Sequence, residues 1–297
     1  MRTYFDCVPC AIRQALDSAR MVSDDERIHE QVLREALQMA LDLDYSMSPP
    51  ARAQRLHSRI RELTGAADAY YALKRRYNRL ALEMLPEARE AVAEADDPME
   101  AAVRLAIAGN IIDFGIGVHA GEAKIRRTLD RALHVPFDTM ALDAFGSRAK
   151  AAAEILYIAD NAGEIVFDRL LIERLGAGKV TLAVKGSPIL NDALLEDAEE
   201  AGLADIVAII DNGDNSPGTI LERCSEDFRE RFERADMVIS KGQGNYETLN
   251  DADRDIFFLL QAKCAVIARH LDCEIGTFVL RLHEPERMNR QPVTERG

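Results

Sequence analysis

The chain has 297 residues, of which 47% are hydrophobic and 30% are charged, and its formal net charge is −14. These totals argue against a disordered chain, and no stretch approaches the roughly 20 apolar residues that a membrane helix needs. The negative charge disfavours DNA or RNA as a partner, because lysine and arginine contacts to phosphates supply most of that affinity. We therefore expect a globular protein that binds neither nucleic acid nor membrane.

The amino-terminal start and the cysteines indicate the compartment. Charged helical sequence follows Met1, where a signal peptide would have an apolar segment. The five cysteines are odd in number and irregularly spaced, which predicts reduced thiols rather than a disulfide framework. Both features favour a soluble, cytoplasmic protein.

Residues 1–147 are predicted to form an all-helical domain. Apolar residues recur there at three- and four-residue steps, and no convincing strand lies between the helical segments. Breaks fall at Ser48-Pro49-Pro50 and at Asp96-Asp97-Pro98. The predicted helices cover residues 8–19, 28–43, 51–63, 72–84 and 98–114.

Cys7 and Cys10 form a Cys-x-x-Cys pair at the start of the first predicted helix, with Gln14 one turn further. Redox and metal sites both use this spacing, although a structural zinc site needs four ligands. Cys264 and Cys273 supply two more only if the fold returns the amino terminus to the last strand. The alternative is two small, half-buried thiols that open a helix.

Asn110 and Asp113 interrupt an otherwise apolar helix end. Such side chains terminate a helix through local backbone bonds, or they point to the loop edge of a following sheet. The residue types leave both interpretations open.

Four short apolar runs in the second half predict buried parallel strands, because a strand covered on both faces has no solvent side that requires alternation. The runs are residues 155–159, 179–184, 205–210 and 237–240, and each ends in a polar loop. Helices are predicted between them at residues 164–175, 191–201 and 219–234. This alternation predicts a wound, mostly parallel sheet over residues 148–283. Residues 284–297 are charged and without apolar periodicity, so we expect a frayed tail.

The carboxyl ends of parallel strands share one sheet edge, which is where ligands bind. Asp160, Asn161 and Asp192 offer oxygen ligands there, which suit Mg²⁺ or Mn²⁺ better than soft metals. Lys185 and Lys241 add ammonium groups, and glycines expose backbone amides. Together these groups are suited to a phosphoryl group, although any single Asp or Asn is as easily explained as a helix cap.

Other motifs of metal and nucleotide sites are missing from the sequence. The six histidines include no pair at metal-ligand spacing, which disfavours a His-based zinc site. No Gly-x-x-x-x-Gly-Lys-Ser/Thr loop occurs, and no Gly-x-Gly-x-x-Gly follows the first strand.

Three motifs in the sheet portion resemble the damage-control phosphatase family, long catalogued as a domain of unknown function. They are Asp-Asn-Ala-Gly-Glu at residues 160–164, Lys-Gly-Ser-Pro-Ile-Leu-Asn-Asp at 185–192, and Lys-Gly-Gln-Gly-Asn-Tyr-Glu at 241–247. The Cys-x-x-Cys pair with Gln14, and the Gly-Asn-Ile-Ile-Asp segment at 109–113, resemble its microbial, cysteine-bearing branch.

The resemblance implies a metal-dependent phosphatase that hydrolyses small phosphometabolites, such as sugar phosphates or related phosphomonoesters. It also implies an α/β fold in which the helical part packs on a Rossmann-like, three-layer α/β/α domain. Carried over by position, the metal ligands fall on Asp160, Asn161 and Asp192, and the phosphate-side lysine falls on Lys241. We expect the substrate and phosphate-binding residues to be Asn110, Asp113, Gly163, Glu164, Lys185, Gly242 and Asn245.

The expected cofactor is one divalent metal (Mg²⁺, Mn²⁺, Co²⁺ or Ni²⁺) that polarises a phosphoryl oxygen and activates a water. Lys241 then neutralises charge on the phosphoryl group, and Asp160 or Asp192 serves as general base. An alternative is nucleophilic attack by Asp160, which gives an aspartyl-phosphate. The expected partner is a small phosphorylated metabolite, while the substrate, the preferred metal and the oligomeric state stay open.

Two other functions remain as alternatives. A non-catalytic protein that binds phosphometabolites or nucleotides uses the same pocket without an activated water. A carboxyl methyltransferase, an activity attached to relatives of the family, ranks below it, because the loop after the first strand lacks the Gly-x-Gly that usually serves a methyl donor.

Overall fold

The computed structural model describes residues 1–109, 127, 131–135, 137 and 139–285. Asn110 and Asp113, two of the predicted substrate-binding residues, lie outside the described residues, and so does most of the predicted tail. Among the described residues, no helix is both long and apolar enough to cross a membrane.

Three amino-terminal helices form a unit that we call the cap: α1 (Cys7–Val22), α2 (Glu26–Leu41) and α3 (Pro49–Thr64). Local sequence defines the bounds of α3. The Ser48 side chain accepts a hydrogen bond from the backbone of Ala51 at its start, and Gly65 ends it in the left-handed conformation. The cap has a small hydrophobic cluster of its own, made of Ala15, Ala19, Val32, Ala36, Leu56 and Ile60.

The next helices are α4 (Tyr71–Glu94), α5 (Pro98–Gly109) and α6 (Thr139–Ala151), and they belong to the packing of the sheet. A single hydrophobic cluster joins their buried side chains to strand residues such as Tyr157 and to the helix that follows the first strand. The predicted domain boundary near residue 147 stays a prediction. A boundary at that position would divide the hydrophobic cluster, because its buried residues lie on both sides of residue 147.

The six-stranded sheet has the order β3-β2-β1-β4-β5-β6. All neighbouring strands pair in parallel except β5 and β6, which are antiparallel. The predicted α/β class with a mostly parallel sheet is therefore confirmed. The strands are β1 (Ile155–Ile158), β2 (Val180–Val184), β3 (Ala208–Asp211), β4 (Met237–Lys241), β5 (Ile256–Gln261) and β6 (Phe278–His283).

Helices cover both faces of the sheet, which gives three layers. Ile155 and Tyr157 of β1 point to the cluster that contains α4 and α5, whereas Leu156 and Ile158 point to a second cluster on the other face. This alternation is the two-residue period of a strand. The remaining helices are α7 (Glu164–Leu175) and α8 (Leu195–Glu200) on the first face, and α9 (Glu226–Arg234), α10 (Gly242–Leu249) and α11 (Ala265–Leu271) on the second.

Two predicted helices begin later than their periodicity suggests. The helix predicted at 191–201 begins at Leu195, because Asp192 pairs through its backbone with Asn161 and is not free to enter a helix. The helix predicted at 219–234 begins at Glu226, after a short 3₁₀ turn at Leu221–Arg223. Before the first strand, α6 extends as far as Ala151, inside the region predicted for the sheet.

Candidate active site

The predicted site residues of the sheet lie at the carboxyl ends of β1, β2 and β4, and of these strands β1 and β4 are neighbours at the centre of the sheet. From β1 the chain proceeds to β2 on one side and later returns to β4 on the other. The carboxyl edge between β1 and β4 is therefore the topological switch point, where the loops diverge and leave a crevice for ligands. Asp160 and Asn161 lie there, directly after β1.

Backbone pairing brings a second loop to this point. Asn161 and Asp192 form an isolated antiparallel bridge. Beside it, the amide of Ala162 donates to the carbonyl of Asn191 at 2.9 Å, and the amide of Ala193 donates to the carbonyl of Asp160 at 2.8 Å. As a result Asp160, Asn161 and Asp192 lie together, and none of the three side chains is more than 8% exposed.

The side-chain contacts orient Asn161. Its Nδ2 donates to Asp160 Oδ2 at 2.7 Å and to Glu164 Oε2 at 2.9 Å. Because both bonds use the amide nitrogen, the carbonyl oxygen is the atom of Asn161 that can bind a cation. On the other loop, Lys185 Nζ lies 3.5 Å from Asp192 Oδ2 and donates to the carbonyl of Gly218.

This donor set fits a hard divalent cation. Two carboxylates and one amide oxygen are ligands that Mg²⁺ and similar ions prefer, with water completing the coordination. Among the residues that the structure describes, no group of three His, Cys, Asp or Glu side chains is arranged to hold a metal. The candidate set has the Asn161 amide as its third oxygen, and this composition differs from the closed cages of structural zinc sites.

Gly242 packs against Asp160 so closely that no side chain fits. Its φ is +78°, in the left-handed region, and an added Cβ would lie 1.8 Å from Asp160 Oδ2. A glycine is required at this position both by the backbone conformation and by the nearby carboxylate. Gly242 thus shapes the site without offering a side chain to a ligand.

Lys241 lies beneath the site rather than in it. Its fully buried ammonium donates to the Ala106 carbonyl at 2.9 Å, to Glu164 Oε1 at 2.7 Å and to Asp168. Tyr157 also donates to Asp168. Burial lowers the pKa of Lys241, but the negative charges of Asp168 and Glu164 have the larger effect, so its pKa is raised. Burial also raises the pKa of Asp168. Lys241 therefore holds Glu164, which in turn orients Asn161, and its predicted contact with a phosphoryl group stays a prediction.

Two further predicted phosphate-binding residues make contacts within the protein. The amide of Gly163, whose φ is +77°, donates to Asn78 Oδ1 at 2.6 Å. Asn245 is fully buried and donates to the carbonyls of Ala159 and Lys241. These bonds tie the loop after β1 to α4 and to α10.

A cleft of about 290 Å³ lies between the cap and the carboxyl edge of the sheet. Of the predicted site residues, Asp160, Asn161 and Asp192 line it. A larger cleft of about 680 Å³ lies at the opposite, amino edge of the strands and is lined by none of them. The other polar residues that line the smaller cleft include Cys7, Cys10, Arg13, Gln14, Arg52, Gln243, Glu247, Lys263 and Cys264.

The cleft brings three thiols together, because the start of α1 and the segment just before α11 both line it. Cys7, Cys10 and Cys264 line it, whereas Cys273 does not. Burial raises the pKa of Cys7 and of Cys10, so these thiols are protonated at neutral pH and are poor nucleophiles. Cys7 is half-buried, whereas Cys10 is exposed, so the predicted pair of half-buried thiols is correct for Cys7 only.

Sequence reasoning missed three charged residues that line the cleft together with the predicted metal ligands. Arg52 belongs to α3, and Lys263 lies just before α11, so no local spacing connects them to Asp160. Glu247 lies within a motif that the sequence analysis quoted, but its burial was not evident there. Burial raises the pKa of Glu247 to about 7.

Comparison with known proteins identifies the family. The family model of the damage-control phosphatase ARMT1-like domain matches residues 3–279. The chain belongs to the damage-control phosphatase family. Membership in the damage-control phosphatases supports the coarse part of the predicted function, a phosphatase that acts on damaged metabolites.

Archaeal relatives and one solved structure match the chain over nearly its whole length. A damage-control phosphatase of Archaeoglobus fulgidus is 34% identical and covers 94% of this chain and 98% of its own length. An uncharacterised protein of Methanocaldococcus jannaschii is 37% identical and covers 93% of both chains. The crystal structure of a DUF89 family protein from Pyrococcus horikoshii has a TM-score of 0.83 at 30% identity, and covers 96% of this chain and 100% of that chain.

Proposed function

We propose that this damage-control phosphatase is a metal-dependent hydrolase of small phosphomonoesters, such as sugar phosphates. The observation that carries the proposal is the buried oxygen set of Asp160, Asn161 and Asp192, joined by a backbone bridge at the switch point and open to a cleft. Phosphoryl transfer needs little more from a protein than positioning and electrostatic stabilisation. A fixed set of oxygen ligands beside a small cleft meets both needs.

The residues that would hold the metal are Asp160, Asn161 and Asp192. When bound, a divalent cation such as Mg²⁺, Mn²⁺, Co²⁺ or Ni²⁺ acts as a Lewis acid toward a phosphoryl oxygen and lowers the pKa of a bound water. The protein keeps the ligands in place: Lys241 holds Glu164, and Glu164 and Asp160 together fix the Asn161 amide. Lys185 does the same for Asp192.

The carboxylates of Asp160 and Asp192 are also the candidates for proton transfer, since both line the cleft. Either can accept the proton of an attacking water as a general base. Direct attack by Asp160 on phosphorus is the alternative, and it would leave a phosphorylated enzyme. Acid quench of a single turnover with radiolabelled substrate separates the two, because only direct attack leaves label on the protein.

The cleft restricts the substrate to a small compound. Its volume of about 290 Å³ lies at the lower end of the range of roughly 300–1,000 Å³ that small-molecule sites have. Its lining carries the carboxylates of Asp160 and Asp192 as well as basic side chains such as Arg52 and Lys263. A cation held by Asp160, Asn161 and Asp192 would offset the two carboxylates beside a substrate phosphate, which supports metal dependence.

The test is an assay of metal-stripped protein with p-nitrophenyl phosphate and a panel of sugar phosphates, adding one divalent metal at a time. We expect phosphate release that requires metal and that is lost in Asp160→Ala. The control is Asp205→Ala, which removes an exposed aspartate at the opposite edge of the sheet. Absence of release with every metal, or near-normal activity of Asp160→Ala, would contradict the proposal.

A further inference from the structure

The cap contributes one side chain to the cleft whose electrostatic environment is unusual. Arg52 of α3 lines the cleft that also contains Asp160 and Asp192. Its guanidinium is half-buried, and one Nη2–H donates to the carbonyl of Cys7 at 2.8 Å. This bond fixes the head of the side chain at the start of α1, where it faces into the cleft.

Arg52 has no counterion in the described part of the chain. No ion pair joins it to a carboxylate there, and its Nε is buried without a hydrogen-bond partner among the same residues. Burial lowers the pKa of the guanidinium, but an arginine remains protonated at neutral pH. Buried charges in proteins are ordinarily paired and buried donors are ordinarily bonded, so an anion from outside the chain would complete this environment.

The three acidic groups with the largest electrostatic effect on Arg52 do not supply a full negative charge at neutral pH. They are Cys7, Cys10 and Glu247, whose electrostatic interactions with the guanidinium are favourable when they are ionised. Burial raises the pKa of each thiol and raises that of Glu247 to about 7. The thiols are therefore neutral and the Glu247 carboxyl is partly protonated. These groups compensate only part of the positive charge of Arg52.

We infer that Arg52 is an anion-binding residue of the cleft, which binds an oxyanion of the phosphorylated substrate. The inference rests on the proposed function and deepens it, because it assigns a specificity role to the cap. The planar guanidinium can bind two oxygens of a phosphate or a carboxylate at once, a geometry that a lysine cannot reproduce. The oxyanion is either the phosphoryl group itself or a second acidic group of the same substrate.

A structural role is the competing explanation, since Arg52 also connects α3 to the start of α1 through the Cys7 carbonyl. Loss of that bond would lower stability but would not change the affinity for an anion in protein that remains folded. The affinity for inorganic phosphate and the split between KM and kcat are therefore the measurements that separate the two roles.

The experiment compares wild type with Arg52→Lys and Arg52→Gln, using the full chain with Mn²⁺ present. Calorimetric titration with inorganic phosphate gives the affinity, and circular dichroism verifies the fold. The matched control is Arg55→Gln, which removes the same charge from an exposed position of α3. If Arg52 binds the phosphoryl group, we expect Arg52→Gln to weaken phosphate binding at least tenfold, Arg52→Lys to weaken it less, and Arg55→Gln to leave it unchanged.

A second arm distinguishes the two sources of the oxyanion. Glycerol 3-phosphate and 3-phosphoglycerate differ by one carboxylate. Contact with the phosphoryl group raises KM for both in Arg52→Gln, whereas contact with a second acidic group raises KM only for 3-phosphoglycerate and leaves phosphate binding intact. Unchanged phosphate affinity together with unchanged KM for both compounds would overturn the inference.

The inference and the proposed function can fail separately. If the wild type binds phosphate through Arg52 but releases none from any ester, the hydrolase proposal fails while the anion site stands. If the wild type hydrolyses esters and Arg52→Gln does so with the same KM and the same phosphate affinity, only the inference fails. Arg52→Lys keeps the charge and the aliphatic stem, so a result remains available if Arg52→Gln does not fold.

Discussion

The cap and the carboxyl edge of the sheet handle charge in opposite ways. In the cap, charged side chains pair on the surface; Glu30 and Arg34 are 63% and 76% exposed. At the sheet edge they pair inside the protein, and Lys241 and Glu164 are both 0% exposed. The cap is held instead by a small cluster of alanine and aliphatic side chains.

Burying charged pairs is expensive, because each ion loses its hydration, so such pairs contribute little net stability for the cost. Their value here is positional: they hold Asn161 and its neighbouring carboxylates in one arrangement. The cap requires no such precision, since it closes one side of the cleft and contacts loops through bonds such as Arg61 to the Pro188 carbonyl. The buried pairs of the sheet edge therefore define the site geometry, whereas the exposed pairs of the cap do not.

Removing the buried cation should have the largest effect. Lys241→Met leaves Glu164 and Asp168 buried without their positive partner, and we expect a loss of about 3–5 kcal/mol in the free energy of unfolding. Urea denaturation at pH 7 measures it. Lys150→Met, at an exposed position of α6, is the control and should change stability by less than about 0.5 kcal/mol. A loss below about 1 kcal/mol for Lys241→Met would show that the buried cluster does not need its lysine.

Gly242→Ala tests the sheet edge at constant charge. The added Cβ collides with the Asp160 carboxylate, and we expect activity to fall about 100-fold, the effect of displacing a catalytic group by about 1 Å. Steady-state assays with the metal that activates the wild type measure it. Gly65→Ala has a similar positive φ of +70° but open space around the Cβ, so it should cost about 1 kcal/mol of stability and no activity. Equal activity of the two variants would show that the site geometry does not require a glycine at position 242.

The cap should show a pH dependence of stability that arises from one buried histidine. Burial lowers the pKa of His57 from 6.5 to about 4. Between these values the unfolded chain binds a proton that the folded chain does not, so stability decreases as pH falls through 6.5 toward 4. At pH 5.5 the expected contribution is about 1.4 kcal/mol relative to pH 7.5.

His57→Leu should remove that part of the pH dependence, which urea denaturation at both pH values measures as a difference from wild type. His134→Gln, at an exposed position, should keep the dependence of the wild type. An identical change of stability with pH in His57→Leu and wild type would place the proton uptake elsewhere.

The smallest effect is expected for the surface pairs of the cap. Arg34→Gln breaks the exposed pair with Glu30 one helical turn away, and we expect a loss of less than about 0.5 kcal/mol that disappears in high salt. Thermal unfolding at low and high ionic strength measures it. A loss above about 1 kcal/mol would mean that the cap, too, relies on its ion pairs.

Local patterns predicted the elements that have a strong period. Residues 164–175 were predicted as a helix, and α7 has the same bounds. β1, β2 and β4 were predicted from apolar runs, but the buried run predicted at 205–210 was wrong in part, because β3 spans Ala208–Asp211 at the sheet edge and is not buried. β5 and β6 were not named as strands, although β5 is an apolar run. The adjacency of Asp160, Asn161 and Asp192 followed from the topology, because parallel strands end at one edge.

The contacts of the long cationic side chains did not follow from local sequence. A lysine at a strand end can point to the ligand or into the core, and for Lys241 the choice depends on Asp168, which lies one helical turn beyond Glu164 in α7. Arg52 depends on how α3 packs against the start of α1, a tertiary relation without a local signal. The sequence thus predicts which loops meet, but not which charged side chains lie beside them.

The two ends of the described chain build one wall of the cleft. Residues near Cys7 line it together with residues near Cys264, and Asp6 pairs with Arg269 at 2.6 Å. Contacts so distant in sequence have a high entropic cost, because they close a loop of most of the described chain. A nascent chain that has emerged only as far as β5 therefore has the predicted metal ligands but lacks a complete cleft. Hydrolysis at this site would therefore require synthesis at least as far as Val266, the last of the described residues that line the cleft.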